Sequence, residues 1–425
     1  MKVIVLGAGV IGVTTAYFLA RSGHEVTVID KSWSVATQCS RANGGQLSYS
    51  HVGTWADKSS LSAMIKAAFK PSSFLSLPHF FNGEFLKWFY QFYQNSSHDK
   101  ASENTRKLFR LTTFSREIIE EIMKEENLDF HYKKEGILHF FTKQKSFETA
   151  LKEADFLGSM GCKVQILNAE ECVGKEPTLI KLLDKKSLVG GIFYPDDASG
   201  NCFLFTQNLA KICRDKYKVD FEFSSEIKNI LTNHQKITGI NTTTGVFVAD
   251  KYVYALGAEG DKLLRGINIK SQIYPVKGYS ISIKTDNEYT APNIALTDSE
   301  NRIVYSRIGN VFRAAGTVEI SGFQPIKRQP LIKFLKKIAF ASFTNFGNPK
   351  QIEEWYGFRP FRPNSLPLVC EVKKYGNLFL NTGHGSLGWT LSSGCAKIVS
   401  TIITKNPNPK FGFLEEEAEH LTINK

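Results

Sequence analysis

The sequence predicts an α/β protein of two intertwined domains, one a parallel sheet wound with helices and interrupted along the chain, the other a mixed-sheet α+β unit. Three observations carry this reading. An apolar strand, a glycine turn, a helix and a second apolar strand fill residues 2–30. Residues 273–318 alternate apolar and polar in the manner of strands. A further strand–turn–helix pattern closes the chain at residues 377–404. Parallel-sheet sequence at both ends, with β-rich sequence between, means that one domain is inserted into the other.

The elements follow in order. Lys-Val-Ile-Val-Leu at residues 2–6 is a β-branched run suited to a buried parallel strand. A helix runs from about Gly12 to Ser22, and Gly23 offers a left-handed C-terminal cap. Residues 26–29 form the next strand, ending at Asp30, and a polar loop with glycines fills 33–54. Residues 60–127 are expected to be helical, with interruptions at Pro71, Pro78 and Gly83. Leu108, Leu111, Phe114, Ile118 and Ile122 mark the clearest helical period. Strands at 137–142 and 188–194 bracket a helix near 147–160, and a helix near 203–216 precedes strands near 219–232, 236–241 and 246–256. A helix at 329–342, a last strand at 377–381 and a helix at 388–404 complete the chain. The aromatic stretch from Phe74 to Tyr93 reads as a helix packed on the inserted domain, with a lid or membrane-facing role as the alternative. The parallel-sheet domain is expected at 1–60, 190–270 and 350–410, the inserted one at 61–189 and 271–349, and a tail at 411–425.

Composition bounds the class. With 425 residues, 42% hydrophobic and 22% charged, the chain can bury a sizeable core. Its net charge of +12 is spread along the sequence, not gathered in a block. No nucleic-acid motif accompanies it, so nucleic acid is not expected as a partner, while an anionic membrane face remains open. The seven cysteines are widely spaced without C-x-x-C, which argues against a disulfide framework or a metal site and fits a reducing compartment. The apolar N-terminal run is broken by glycines at fixed offsets and continues as strand, turn and helix, so it reads as folded protein and not as a signal peptide. No run of 18 or more apolar residues is present.

Gly7-Ala8-Gly9-Val10-Ile11-Gly12 matches G-x-G-x-x-G between the first strand and the first helix. Gly7 permits the tight turn, Gly9 leaves the backbone open to a pyrophosphate, and Gly12 lets the helix approach the sheet. The helix N-terminus presents free N–H groups to phosphate, and Asp30 stands where a carboxylate meets ribose hydroxyls. This is a Rossmann-like dinucleotide site, and by itself it does not separate FAD from NAD. The later chain points to FAD. Residues 250–260 resemble the strand that returns to the nucleotide domain in flavoproteins, with Gly257 at its end. Asn381-Thr382-Gly383-His384-Gly385-Ser386-Leu387-Gly388-Trp389-Thr390 lets backbone N–H groups approach a flat ring and places a helix N-terminus where a reduced flavin carries negative charge.

Residues 381–390 resemble the C-terminal signature of the bacterial D-amino acid dehydrogenases. Tyr274-Pro275-Val276-Lys277-Gly278-Tyr279-Ser280 and Trp355-Tyr356-Gly357-Phe358-Arg359-Pro360 resemble two further motifs of that family. Ser40 to Gln46, Pro195-Asp196 and Gly316 to Ile320 fall between them in the expected order, so the resemblance runs from Lys2 to about Thr404. It implies an FAD-binding domain with a mixed-sheet substrate domain. It also implies oxidative deamination of small D-amino acids such as D-alanine, electron transfer to a membrane quinone or respiratory acceptor, and a cytoplasmic place on the inner face of the bacterial inner membrane. Homo-oligomerisation is left open. Four positions depart from the family: Asn201 where it usually has aspartate, Asn364-Ser365 after Pro363 where it has Asp-Gly, and Ser386 where it has threonine. Two of these remove carboxylates and bear on substrate preference.

The residues expected to hold FAD are Val3, Gly7, Ala8, Gly9, Val10, Ile11, Gly12, Tyr17, Asp30, Lys31, Ser40, Asn43, Gly44, Gly45, Gly257, Gly383, His384, Gly385, Leu387, Gly388, Trp389 and Thr390. An amino acid needs its carboxylate held, and arginine does this with two parallel charge-assisted bonds. Arg359 leads the candidates, followed by Arg307, with Arg313 and Arg362 behind. In the related D-amino acid oxidases the clamp falls where this chain has Leu366, so that mapping fails here. Tyr279 is a candidate hydrogen-bond donor to substrate, and His384 a candidate flavin contact. No metal is expected. The competing readings are an oxidase of glycine, sarcosine or D-proline, a nicotinamide dehydrogenase, and a catalytically silent FAD-binding subunit.

Overall fold

A computed structural model describes residues 1–50, 52–69, 75–77, 82–285, 291–343, 347–348 and 350–417. Its first sheet has six strands in the spatial order Leu368–Glu371, Leu378–Thr382, Lys251–Tyr254, Lys2–Leu6, Glu25–Ile29 and Asp220–Glu222. All pairs are parallel except the first. Lys2–Leu6 sits centrally and buries four of its five residues, as its unbroken apolar run requires. The helices Val10–Arg21, Cys202–Asp215 and Gly388–Ile403 cover one face through Val13, Phe205, Leu209, Leu391 and Val399. The antiparallel strands Ile227–Asn233, Lys236–Thr242 and Val246–Phe247 cover the other through Ile230, Ile237 and Ile240.

The second sheet runs Ile352–Phe361, Tyr274–Lys284, Val311–Glu319, Ile303–Ile308, Ala295–Asp298, Ile137–Phe141, Gly190–Tyr194 and Gln165–Asn168, with the short Leu75–Ser76 added beside Val311–Glu319. The helix Gln329–Ser342 packs Leu331, Ile332 and Leu335 against one face. At one end of the opposite face lies Gly83–Asn95, burying Phe85, Trp88 and Phe92 against Tyr274, Val276 and Phe361. Its outer side leaves Leu86, Tyr90 and Tyr93 exposed. The rest of the Phe74 to Tyr93 stretch, at 74 and 78–81, lies outside the described residues.

Several expectations shift. Gly190–Tyr194 and Ile352–Phe361, placed by sequence with the parallel-sheet unit, hydrogen-bond into the mixed sheet. The strand expected at 219–232 is broken between Glu222 and Ile227, because the N–H groups of Ser224 and Ser225 bond to Ser32 and Asp30 carbonyls and turn the chain off the parallel sheet. The strand expected at 246–256 breaks likewise, into Val246–Phe247 and Lys251–Tyr254. The helix His98–Glu126, expected in the inserted domain, buries Leu108, Leu111, Ile118 and Ile122 in the core of the parallel-sheet unit. It crosses Gly388–Ile403 so closely that a methyl on Gly394 would lie 2.9 Å from Ser115 Cα, and the Gly394 N–H donates to Ser115 Oγ at 3.0 Å. The tail docks too: Phe411 and Leu414 are buried in that core, and Glu417 accepts from Arg362 and Asn364.

Residues 43–50 are pinned by the turn after Gly190–Tyr194. Gln46–Leu47 pairs with Ala198–Ser199, and the fully buried Asp197 accepts the N–H groups of Tyr49 and Ser50 at 2.9 and 2.8 Å. Burial pushes this carboxyl up to about 7. A raised folded value favours the protonated form, so the stability it lends is full below the ordinary carboxylate range and fades as pH rises through about 7. Wild-type protein should therefore lose stability relative to Asp197→Asn between pH 5 and 8, read as urea midpoints of both proteins across that range. Parallel midpoints would show that Asp197 does not titrate there.

Candidate FAD and substrate site

The first strand ends in a turn that only glycine makes easily. Gly7 has φ +107°, and its N–H donates to Ile29 O at 2.8 Å. A methyl on Gly12 would lie 1.8 Å from Gly7 O, so the first turn of the helix presses directly on the loop. Gly9 at the N-cap supplies no side-chain acceptor, and the Val10 N–H instead donates to Ser40 Oγ at 3.0 Å. Asp30 braces the turn from the second strand, accepting Ala8 N–H at 2.7 Å and Ser32 N–H at 2.8 Å. Lys31 beside it pairs with Glu259, which follows the Gly257 turn at φ +61°.

The opposite wall comes from the C-terminal turn. Asn381 Nδ2 donates to Thr15 Oγ1 at 3.0 Å, tying the last strand to the first helix. Gly383 and Gly385, at φ +79° and +55°, reverse the chain into the final helix. His384 between them is 3% exposed, and its Nε2 has no partner among the described residues. Burial lowers its imidazole to about 3, so the ring is neutral across the physiological range. An isolated bridge joins His384 to Phe361, linking this turn to the strand that carries Arg359.

Between the two sheets lies a cavity of about 1250 Å³, above the roughly 300–1,000 Å³ of a site for one drug-sized ligand. Of the residues expected to hold a cofactor, those at 7–11, 30, 31, 40, 43–45, 257, 384, 385 and 387–390 border it. Val3, Gly12, Tyr17 and Gly383 do not. Val3 is core, Gly12 serves helix packing, and Gly383 rests on the Arg362 side chain. The Tyr17 hydroxyl is held by Glu126 at 3.0 Å, away from the cavity.

The candidate arginines separate clearly. Arg359 borders the cavity, and a methyl on Gly278 would lie 2.4 Å from its Cζ, so the guanidinium rests flat on that glycine. Among the described residues it has no acidic partner or hydrogen-bond acceptor, and burial lowers its pKa, with only the Cys39 thiol opposing. Arg362 is committed to Glu417 at 2.8 Å and Leu366 O at 3.0 Å, and Arg313 to Ser282 Oγ at 3.0 Å and Asn43 O at 3.2 Å. Arg307 lies off the cavity and donates to Asn293 Oδ1 at 3.1 Å. Tyr279 touches the cavity, yet its hydroxyl points to the sheet's other side, donating to Glu319 and accepting from Arg328 N–H at 3.1 Å. There the fully buried Lys277 pairs with Glu319 at 3.3 Å over the rings of Tyr356 and Phe358. The tyrosine hydroxyl is thus held by a buried ion pair on the side of the sheet away from the cavity. Sequence reasoning missed Trp55, Arg302, Thr317 and Trp355, which also border the cavity. Arg302 and Thr317 hold left-handed backbone at φ +54° and +57°, a conformation that no sequence pattern announces for these residue types. Trp355 was legible as the same-face neighbour of Arg359.

The wall residues fit a flavin dinucleotide. A glycine turn and helix N-terminus suit a pyrophosphate, and polar atoms of His384, Asn381 and Trp389 with no partner among the described residues are buried around the second glycine turn. The comparisons agree. A family described as DAO, FAD dependent oxidoreductase, matches residues 2–402. A D-amino acid dehydrogenase of Neisseria meningitidis is 37% identical over 407 residues, covering 95% of this chain and 96% of the relative. One from Paramagnetospirillum magneticum is 34% identical over 409 residues, 96% of each. The glycine oxidase structure of Bacillus cereus superposes with TM-score 0.74 over 100% of this chain and 99% of that one, at 21% identity, a likeness of fold. Fold and site therefore define an FAD-dependent oxidoreductase of the DAO family. Within it, the chain belongs to the D-amino acid dehydrogenases.

Two outcomes follow. Since His384 is already neutral, the pH profile of flavin reduction should keep its limbs in His384→Gln; a limb lost between pH 5 and 8 would make this imidazole a working base. Gly278→Ala must displace the Arg359 guanidinium. It should weaken a carboxylate ligand by about 10-fold, roughly 1.4 kcal/mol, with FAD content unchanged, read by flavin difference spectra.

Proposed function

We propose that this protein oxidatively deaminates small D-amino acids such as D-alanine to 2-oxo acids and ammonia, passing the electrons to a quinone or another respiratory acceptor. The observation that carries the reading is Arg359: a guanidinium facing the cavity with no acidic partner among the described residues. A half-buried guanidinium with no counter-ion beside it favours an arriving carboxylate, which meets it with two parallel bonds. The parallel-sheet unit would hold FAD through the Gly7–Gly12 turn, Asp30, Ser40 and the turn around His384, and the mixed sheet would cap it. FAD supplies the hydride acceptor.

The chain's own groups do the rest. Arg359 fixes the carboxylate, and the Gly278 floor fixes Arg359. The amine must be neutral for hydride to leave Cα, and no side-chain nucleophile is needed, so the neutral His384 serves as packing for the ring and not as a base. The imine product hydrolyses in water. For location, we infer a peripheral place on the inner membrane face. No helix among the described residues is long and apolar enough to cross a membrane, and the net charge of +12 favours an anionic surface.

Anaerobic mixing of the yellow protein with candidate amines tests the reading. D-alanine should bleach the flavin, and L-alanine, glycine, sarcosine and D-proline should do so far less well. Arg359→Ala should raise the concentration of D-alanine needed by about two orders of magnitude or more. Bleaching by sarcosine or D-proline but not D-alanine would move the assignment to a secondary-amine oxidase. Bleaching by none, with FAD bound, would point to a silent subunit.

A further inference from the structure

The register places Gly278 directly opposite Gly357 on neighbouring antiparallel strands. Neither has a side chain, and both places are filled by neighbours. A methyl on Gly278 would meet Arg359 Cζ at 2.4 Å, and one on Gly357 would meet Trp355 Cη2 at 2.2 Å. Trp355, Gly357 and Arg359 alternate along Ile352–Phe361 and share one face, and all three border the cavity. Side chains at a directly opposed pair sit about 4.5–5.5 Å apart. The indole and the guanidinium therefore lie side by side on a glycine shelf.

We propose that Trp355 is a specificity-determining residue, its indole the wall against which the substrate side chain packs once Arg359 holds the carboxylate. The proposal rests on the amino-acid reading above. With the carboxylate held and the Cα–H directed away from the floor, two substituents remain on Cα, the amine and the side chain. They exchange places between enantiomers, so a wall on one side distinguishes the two hands. A cationic ammonium is disfavoured beside the indole, because the neighbouring guanidinium repels it. An apolar side chain gains by covering the ring. The surroundings agree: Val318 borders the cavity from the next strand but one, and Trp55 packs on Phe361 with ring centroids 4.4 Å apart. The indole thus favours apolar side chains larger than methyl and disfavours charged ones.

The test is anaerobic flavin reduction in the full-length FAD-loaded protein by D-alanine, D-methionine, D-phenylalanine and D-lysine. Trp355→Ala should lower the reduction efficiency with D-phenylalanine and D-methionine by about 10-fold or more, and leave D-alanine within about 3-fold. Trp355→Phe should restore most of the loss, and an unchanged flavin spectrum should report an intact cofactor site. Equal losses with D-alanine and D-phenylalanine would place the amine on the indole and overturn the proposal, as would no loss with any substrate. A wild-type flavin that no D-amino acid reduces would overturn the underlying amino-acid reading, and this is visible before any variant is made.

Discussion

A parallel strand cannot satisfy its backbone locally, and the rest of this structure depends on that constraint. Lys2–Leu6 needs a hydrogen-bonded neighbour on each side, and a parallel neighbour requires a crossover connection. One neighbour, Glu25–Ile29, comes through a single helix. The other, Lys251–Tyr254, lies more than two hundred residues away, and it pairs in turn with Leu378–Thr382. The intervening chain is thereby forced to leave the parallel sheet and return to it. The mixed sheet is built on those excursions, and the two sheets face one another across the cavity.

That arrangement lets each wall be specialised. The parallel-sheet side contributes turns: Gly7 and Gly9 against Asp30 and Ser40, and the Gly383 and Gly385 reversal around His384. These present backbone amides and few charges. The mixed-sheet side contributes a flat floor whose chemistry is set by a glycine pair, Gly278 and Gly357, and by the two side chains that lean over it. Beneath the floor, Lys277, Glu319 and Tyr279 satisfy one another, while Arg359 on the cavity side has no acidic partner among the described residues.

Much of this was readable from residue order. The first βαβ unit, the final helix and the tract from Tyr274 to Glu319 carry periods that survive any packing, and their observed bounds lie close to the expected ones. Arg359 stood out because it sits in the Trp355–Pro360 motif and leads back toward the C-terminal glycine turn. The hydroxyls of Tyr279 and Tyr17 lie away from the cavity, and residue order hid this for a shared reason: a tyrosine in a motif-bearing segment gives no sign of whether its hydroxyl has a carboxylate to meet. Glu319 and Glu126, far away in sequence, supplied one in each case. Arg302 and Thr317 were invisible because a left-handed backbone at such residues arises from the strand pairing around them.

By itself, then, the sequence determined the two kinds of sheet, the glycine turns at either end and the cofactor class, since these depend on local periodicity and on backbone freedom at named glycines. Tertiary structure alone decided which strands joined which sheet, which of four candidate arginines borders the cavity, and what stood beside it. Those outcomes depend on partners brought together from distant segments. An arginine with a carboxylate in reach is a strut; Arg359 lies on a bare glycine at the cavity wall, with no carboxylate beside it among the described residues.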